Sequence, residues 1–387
     1  MKRRFTALFA ALMLGMLAPV SLAQTEIKLY IAPGALEETA AAQLIRLLER
    51  ALPDAAFVRT DTARPLEELV MADEAPQLVI CPAREAAPWA EEGLTLALDG
   101  CVPGREQIAQ AVFNACGGET GLYMAPLYAR HARVAVNRSM LEKMQLGHLL
   151  DEADTTVWLP IQLYQVMEGC LLDERAAVDV WPATQEGDAV LAMVQALYNS
   201  PFLSEDGQTF RGDSDAAIAG MEWLEEMADC GMVGIAESRE AALKRFLDGE
   251  TAMFIDWTDE ERKAFSDRTE MEIEEIPYPS AAGVPVHAFD VIGAAAFASG
   301  DEEKDVHSLA AVSFLMKDAQ AQRVMGERGI REDGGIWLPC FGVKEGSRAL
   351  HGMLCDVTDR VLAGQMTART AMEAVSAVFE KGRNAAK

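Results

Sequence analysis

The sequence predicts an α/β protein with two cores, and two observations carry this. Its first hundred residues alternate strand and helix in a β-α-β-α-β rhythm, the pattern of a parallel sheet covered by helices. Its 387 residues also suit about two domains of ~150 each. No linker, repeat or low-complexity tract divides the chain. Two lobes that share the chain discontinuously would show none.

The elements follow in order. Glu26 to Ile31 reads as a strand, with Ile27, Leu29 and Ile31 on one face. Pro33-Gly34 turns the chain into a helix from Glu37 to about Leu52, striped with Leu44, Leu47, Leu48 and Ala51, and Pro53 stops it. A strand at Phe57–Thr60, a short helix at Pro65–Met71 and a strand at Gln77–Cys81 complete the rhythm. Ligands of such sheets sit beyond the carboxyl ends of the strands, so the loops at 32–34, 61–62 and 82–84 are candidate walls of a site. Further on, Ser214 caps a helix that runs to Cys230, with Gly231 as its stop. A helix from Ser238 to Leu247 ends at Asp248-Gly249. Strands at Thr251–Ile255 and Met271–Ile276, a helix from Asp305 through Met325 and a last helix from Thr367 to Glu380 close the chain.

Residues 1–23 read as a secretory signal peptide: Lys2, Arg3 and Arg4, then an apolar run, then Ser21 and Ala23 at the cleavage site. The apolar run is shorter than the ~20 residues of a membrane span. Gln24 stands where a lipoprotein needs cysteine, so a free, secreted chain in the periplasm or outside the cell envelope is expected. Losing those three basic residues takes the net charge from −27 to −30. A surface that acidic repels phosphate backbones, which argues against nucleic acid as a partner. The seven cysteines form no C-x-x-C, and their spacing fits no zinc module. Local pairs Cys101/Cys116 and Cys340/Cys355 and buried free thiols both remain open.

Several segments together resemble the sugar-type, family 1 solute-binding proteins of ABC importers, the maltose-binding-protein-like group. Phe246-Leu-Asp-Gly249-Glu-Thr-Ala252-Met253-Phe-Ile255 matches that family's F-x-x-G-x-x-A-M-x-I stretch. Gly121 to Asn137 resembles its first crossing strand, Leu203–Gly207 the segment ahead of F-x-x-G, and Leu362–Thr367 its C-terminal end. The chain departs between 145 and 198, where Asp154–Trp158 and Trp181–Thr184 stand in place of the family's Pro-x-Thr-Trp start to a helix. The resemblance implies the two-lobed type II periplasmic binding-protein fold, each lobe a mixed or parallel sheet flanked by helices. Lobe one would hold 24–129 and 256–300, lobe two 130–255 and 301–387, with the ligand cleft between them. It further implies a monomer that captures a sugar or polyol by hinge closure and passes it to ABC permease subunits.

Sugars present flat C–H faces and rings of hydroxyls, so aromatic faces and charged hydrogen-bonders suit them. Trp257 leads the candidates, because it follows the F-x-x-G strand where the family offers an aromatic; Asp256 sits beside it. Tyr128 and Arg130 share one face of the first crossing strand. Arg84 and Asp61 lie at predicted strand ends, and Phe289-Asp290 precedes the third crossing. Trp337, Trp158 and Trp181 complete the set, whereas Trp223, on a helix, reads as packing. The alternatives are a non-sugar solute (polyamine, peptide or anion) or a secreted carbohydrate-active enzyme. The enzyme reading finds no G-x-S-x-G, H-E-x-x-H, P-loop or G-x-G-x-x-G. Histidines at 131, 148, 287, 307 and 351 are too scattered for a metal site, and no cofactor is expected. Glu225-Glu226 and Glu274-Glu275 cannot flank one glycosidic bond, and Arg211-Gly-Asp213 is a chance tripeptide.

Overall fold

A computed structural model of the chain describes residues 24–60, 63–118, 121–151, 157–183, 188–204, 209–266, 271–326, 329–330, 335–338 and 345–385. The predicted signal peptide and Asp61 lie outside these residues. Strands β1 (Thr25–Ile31), β2 (Ala55–Arg59) and β3 (Leu78–Pro82) pair in parallel, with β1 in the middle. Ile27, Leu29 and Ile31 are buried on one face of β1, and Tyr30 is buried on the other. A sheet covered on both sides requires this. The first helix, Glu38–Ala51, buries Ala41, Leu44, Leu47 and Leu48 and ends before Pro53.

Two long strands connect this core to a second one. β4 (Ala125–Asn137) starts with Ala125, Leu127 and Ala129 in the first core and ends with Val134, Ala135 and Val136 in the second. In the second core, β5 (Val178–Val180) and β6 (Val233–Ile235) pair in parallel, β7 (Met253–Trp257) lies between β5 and β4, and β8 (Ile273–Ile276) pairs with the far end of β4. β9 (Val286–Ala296) then returns antiparallel to β4, from Val286 in the second core to Val291–Ala296 in the first, and the two-residue β10 (Ile336–Trp337) pairs with its start. The order among the described strands is β2-β1-β3-β9-β4-β7-β5-β6. The β4–β9 ladder shifts register at Gly293, where a Cβ would sit 2.8 Å from the Ala125 carbonyl oxygen. Only glycine allows the strands to approach so closely there.

Sequence punctuation set most helix ends. Ser214 accepts a hydrogen bond from the Ala217 amide, Ser238 one from the Ala241 amide, and Gly231 and Gly249 take φ of +78° and +73° just past their helices. The helix expected from Asp305 through Met325 is two helices, Glu302–Lys317 and Ala319–Met325. Asp318 is extended between them and its carboxylate caps the second, accepting from the amides of Gln320 and Ala321.

The division of the chain also differs from the expected one. The F-x-x-G strand does not cross; Ala252 to Ile255 and Trp257 all sit in the second core, and so do Ile276, Tyr278 and Val286. Residues from 256 to the start of β9 therefore belong to the second lobe rather than the first. Conversely, Ala311, Val312, Leu315, Met316, Ala321 and Met325 pack in the first core, not the second. β9 ends on the first sheet, so the helices that follow it cover that sheet before the chain goes back. Leu350, Leu354, Ala371 and Met372 of the last two helices, Glu345–Leu362 and Ala368–Ala385, then join the second core.

Cys101 and Cys116 are free thiols, so the first of the two local disulfides does not form; Cys355 is also free, and Cys340 lies outside the described residues. No described helix is long and apolar enough to cross a membrane.

Trp181 is completely buried and stacks on Phe254 of β7 at 5.7 Å. Trp181→Ala is expected to lower the free energy of unfolding by about 3–5 kcal/mol, measured by denaturant titration. A loss below about 1 kcal/mol would contradict its place in the core.

Candidate ligand-binding cleft

A cleft of about 820 Å³ lies between the two cores. The middle of the β4–β9 ladder contributes Arg130, Ala132, Ala288, Phe289 and Asp290, with Arg130 directly opposite Asp290 in register. Pro33, Gly34 and Arg84 come from the first lobe, just beyond the carboxyl ends of β1 and β3. This is where parallel sheets place their ligands. The second lobe supplies the starts of the helices Asp188–Leu197 and Asp259–Phe265, the residues Arg239 and Asp256, and one face of the helix Glu345–Leu362.

The charged side chains form a connected network. Asp290 accepts a hydrogen bond from Arg130 at 3.1 Å and forms an ion pair with Arg84 at 3.5 Å. Arg84 also reaches over the cleft to Asp188, at 3.6 Å, and Arg130 to Glu260, also at 3.6 Å. Asp188 takes a further bond of 2.5 Å from His351 Nε2, with Cys355 Sγ 3.5 Å from the same nitrogen. Deeper in, Arg239 is clamped by Asp256 and, at 2.7 Å, by Glu261, and its guanidinium lies 5.4 Å from the Phe254 ring centre. Glu261 is fixed in turn as the capping-box partner of Thr258, whose amide donates to it at 3.0 Å. On the outer edges, Glu37 pairs with Lys263 at 2.5 Å, and Glu91 pairs with Arg348. Both of these pairs join one lobe to the other.

These contacts move the titrations. Burial works against a charge on His351, but its bonds to Asp188 and Cys355 outweigh that and raise it to about 10. Burial likewise opposes the Asp188 charge, and the bond from His351 turns the balance, leaving the carboxyl below its usual range. Asp256 goes the other way: burial pushes it up to about 6, against the pull of Arg239 and with help from nearby Glu261 and Asp188.

Of the residues singled out in the sequence, the structure brings Arg84, Arg130, Asp256, Phe289 and Asp290 to the cleft. Tyr128 packs just behind it, where its hydroxyl donates to the Ala35 carbonyl and burial raises it to about 12. Trp337 stands edge-on to Phe289 at 5.1 Å and tilted against His287 at 4.7 Å, one step from the lining. The other three tryptophans are core. Trp257, 2% exposed, packs between Phe246 and Phe265 and donates to Glu275. Trp158 donates to the Leu149 carbonyl inside the second core, and Trp181 stacks on Phe254. Trp223 is buried too. Among the described residues, no group of three metal-ligating side chains assembles.

The sequence reading passed over Asp188, Gln195, Arg239, Glu260, Glu261, His351 and Cys355, all in the lining. Two signals for them were present. Thr258-x-x-Glu261 is a capping-box pattern, and His351 and Cys355 stand four apart, hence on one helix face.

Solved structures with this architecture are numerous. An ABC substrate-binding protein from Listeria monocytogenes, in complex with cycloalternan, superposes with a TM-score of 0.72 over 93% of this chain and 99% of its own, at 13% identity. The cyclic alpha-maltosyl-1,6-maltose binding protein of Arthrobacter globiformis gives 0.72 over 92% and 100%, at 14% identity. The maltose/maltodextrin-binding domain of Bdellovibrio bacteriovorus, bound to maltotriose, gives 0.65 over 93% and 100%, at 17% identity. The chain has the two-lobed periplasmic binding-protein fold. No family model matches the sequence, and no curated protein does. Concave clefts between domains are where small-molecule sites preferentially form.

The raised His351 titration has a stability consequence. The stability it contributes is fully present below its ordinary value of 6.5 and is lost as pH rises toward 10. The melting temperature should therefore fall more steeply between pH 7 and 10 in the native protein than in His351→Gln. Parallel slopes would show that the pair with Asp188 does not hold the proton.

Proposed function

We propose that this chain is the extracytoplasmic solute-binding subunit of an ABC importer, capturing a sugar or polyol between its lobes and delivering it to membrane permease subunits. The observation that carries this is the composition of the cleft. Hydrogen-bonding side chains from the first lobe, the crossing strands and the second lobe converge on one cavity of about 820 Å³. Sugar hydroxyls both donate and accept, and such a mixed set of guanidiniums and carboxylates offers both partners. Phe289, backed edge-on by Trp337, supplies an apolar face for a ring. A ligand touching both walls stabilises the arrangement in which the lobes approach, so binding energy shifts an equilibrium between two lobe positions.

Similar folds solved with cycloalternan, with maltotriose and as a cyclic maltosyl-maltose binder support a carbohydrate ligand here. Binding without turnover is supported by the state of the cleft carboxylates. Asp188, Asp256, Asp290, Glu260 and Glu261 are each engaged by an arginine or a histidine. A glycosidase keeps one protonated carboxyl aimed at a leaving group, whereas Asp256, the cleft carboxyl that burial raises, is held against Arg239. A secretory leader, as read at residues 1–23, supports work outside the cytoplasm.

Thermal unfolding across a panel of sugars, polyols, polyamines, amino acids and short peptides tests this, using protein refolded to strip any bound solute. A sugar at about 100 times its Kd should add roughly 2.7 kcal/mol of stability and be recovered chemically intact. A response confined to peptides or amino acids would overturn the carbohydrate reading, and a consumed sugar would make the protein an enzyme.

A further inference from the structure

We propose that the cleft sorts saccharides by charge: it takes a sugar with a free amine in preference to the neutral or acetylated sugar, and turns away sugars bearing carboxylate or phosphate. This rests on the carbohydrate reading above and narrows it. Among the described lining residues, five carboxylates face three guanidiniums and one imidazole. All four cations are already taken. Arg130 is held by Asp290 and Glu260, Arg84 by Asp290 and Asp188, Arg239 by Asp256 and Glu261, and His351 by Asp188.

An anionic ligand entering this network must displace a carboxylate from its arginine. It then sits beside the carboxylate it has just stripped of a partner, and like charges at that range cost far more in a partly dehydrated cleft than in water. Recognition of an acidic sugar needs a guanidinium not already offset by carboxylates, and here each guanidinium faces two of them. A neutral sugar meets no such obstacle, since its hydroxyls donate to lone pairs the arginines leave unused. An ammonium gains more. Glu260 holds Arg130 only at 3.6 Å and is largely exposed at the cleft edge near Gly34, and Asp188 shares its charge between two cations while remaining half exposed. Either can accept a cation without surrendering its arginine. The acidic surface as a whole adds steering of cations toward the site, in the same direction.

The test is isothermal calorimetry on the full mature chain at pH 7 and low salt. The probes are four β-1,4-linked disaccharides, of glucose, glucosamine, N-acetylglucosamine and glucuronic acid, with spermidine as a cation lacking a sugar ring. The glucosamine dimer should bind about tenfold more tightly than the neutral dimers, and the glucuronate dimer at least about tenfold more weakly than them. The margin should shrink as salt is raised. Asp290→Asn leaves Arg130 and Arg84 with one carboxylate each and should narrow the gap between glucuronate and glucose by about tenfold. Glu260→Gln, at an exposed position, should reduce the preference for the amine without loss of stability. Equal affinity for the amine and its acetylated form, or glucuronate binding as well as glucose, overturns the proposal. Spermidine binding with silence from every sugar would keep the charge preference and sink the carbohydrate reading. Silence from all five probes sinks both.

Discussion

The antiparallel pairing of β4 with β9 joins two separately buried cores, and the cleft follows from where along that ladder the cores stop. Leu127 and Ala129 lie inside the first core, Val134 to Val136 inside the second, and between them Arg130, His131 and Ala132 are only partly buried and Arg133 is exposed. Their partners on β9 are Asp290, Phe289 and Ala288. Backbone hydrogen bonds hold this stretch together, and its side chains, only partly packed, can be polar. A charged cross-strand pair such as Arg130–Asp290 is out of place in a sheet interior and stable at a solvated gap. The cleft is thus the place where two hydrophobic cores fail to meet, and its chemistry is what a sheet can carry there.

The same gap governs how the lobes are held. Besides the chain crossings, ion pairs connect the lobes: Arg84–Asp188 over the cleft, Glu37–Lys263 and Glu91–Arg348 at its edges. Exposed pairs of this kind each contribute little, because water and salt screen them. A few of them bias the lobes toward each other without locking them. A binding protein needs that balance, because a ligand can only shift an equilibrium by its own differential affinity for the two arrangements. A broad apolar contact between the lobes would hold them shut, whereas no contact at all would leave the full cost of closure to the ligand.

Much of the fold was legible because it is written in local chemistry. Alternating apolar residues in β1, Pro53 after the first helix, the serine caps at 214 and 238 and the glycines at 231 and 249 each act within a few residues. Lobe membership is not local. Nothing in Glu302–Met325 states which sheet its apolar face will cover, and only the direction of β9 decides it. Trp257 shows a different failure. Asp256 and Trp257 are neighbours on one strand, so their side chains must point to opposite faces, and both cannot enter one cleft. Burial of the larger apolar surface settles which one goes inside. The aromatic joins Phe246 and Phe265, and the carboxylate turns to the cavity and Arg239. That exclusion was available from strand periodicity alone.

The stretch from 145 to 198 was opaque for a related reason. The helix Asp188–Leu197 is buried on every side after Asp188, so no stripe marks a face. Such a helix has one place to put a charge, its first turn, where the backbone amides favour an anion. Asp188 stands there. It meets the Arg84 side chain from the other lobe and His351 from a helix more than 160 residues later in the chain. A carboxylate fixed at the start of a fully buried helix cannot retreat when the lobes move apart. Whatever separates Arg84 from it leaves His351 as its remaining cation, and that retained bond limits how much charge the open cleft exposes.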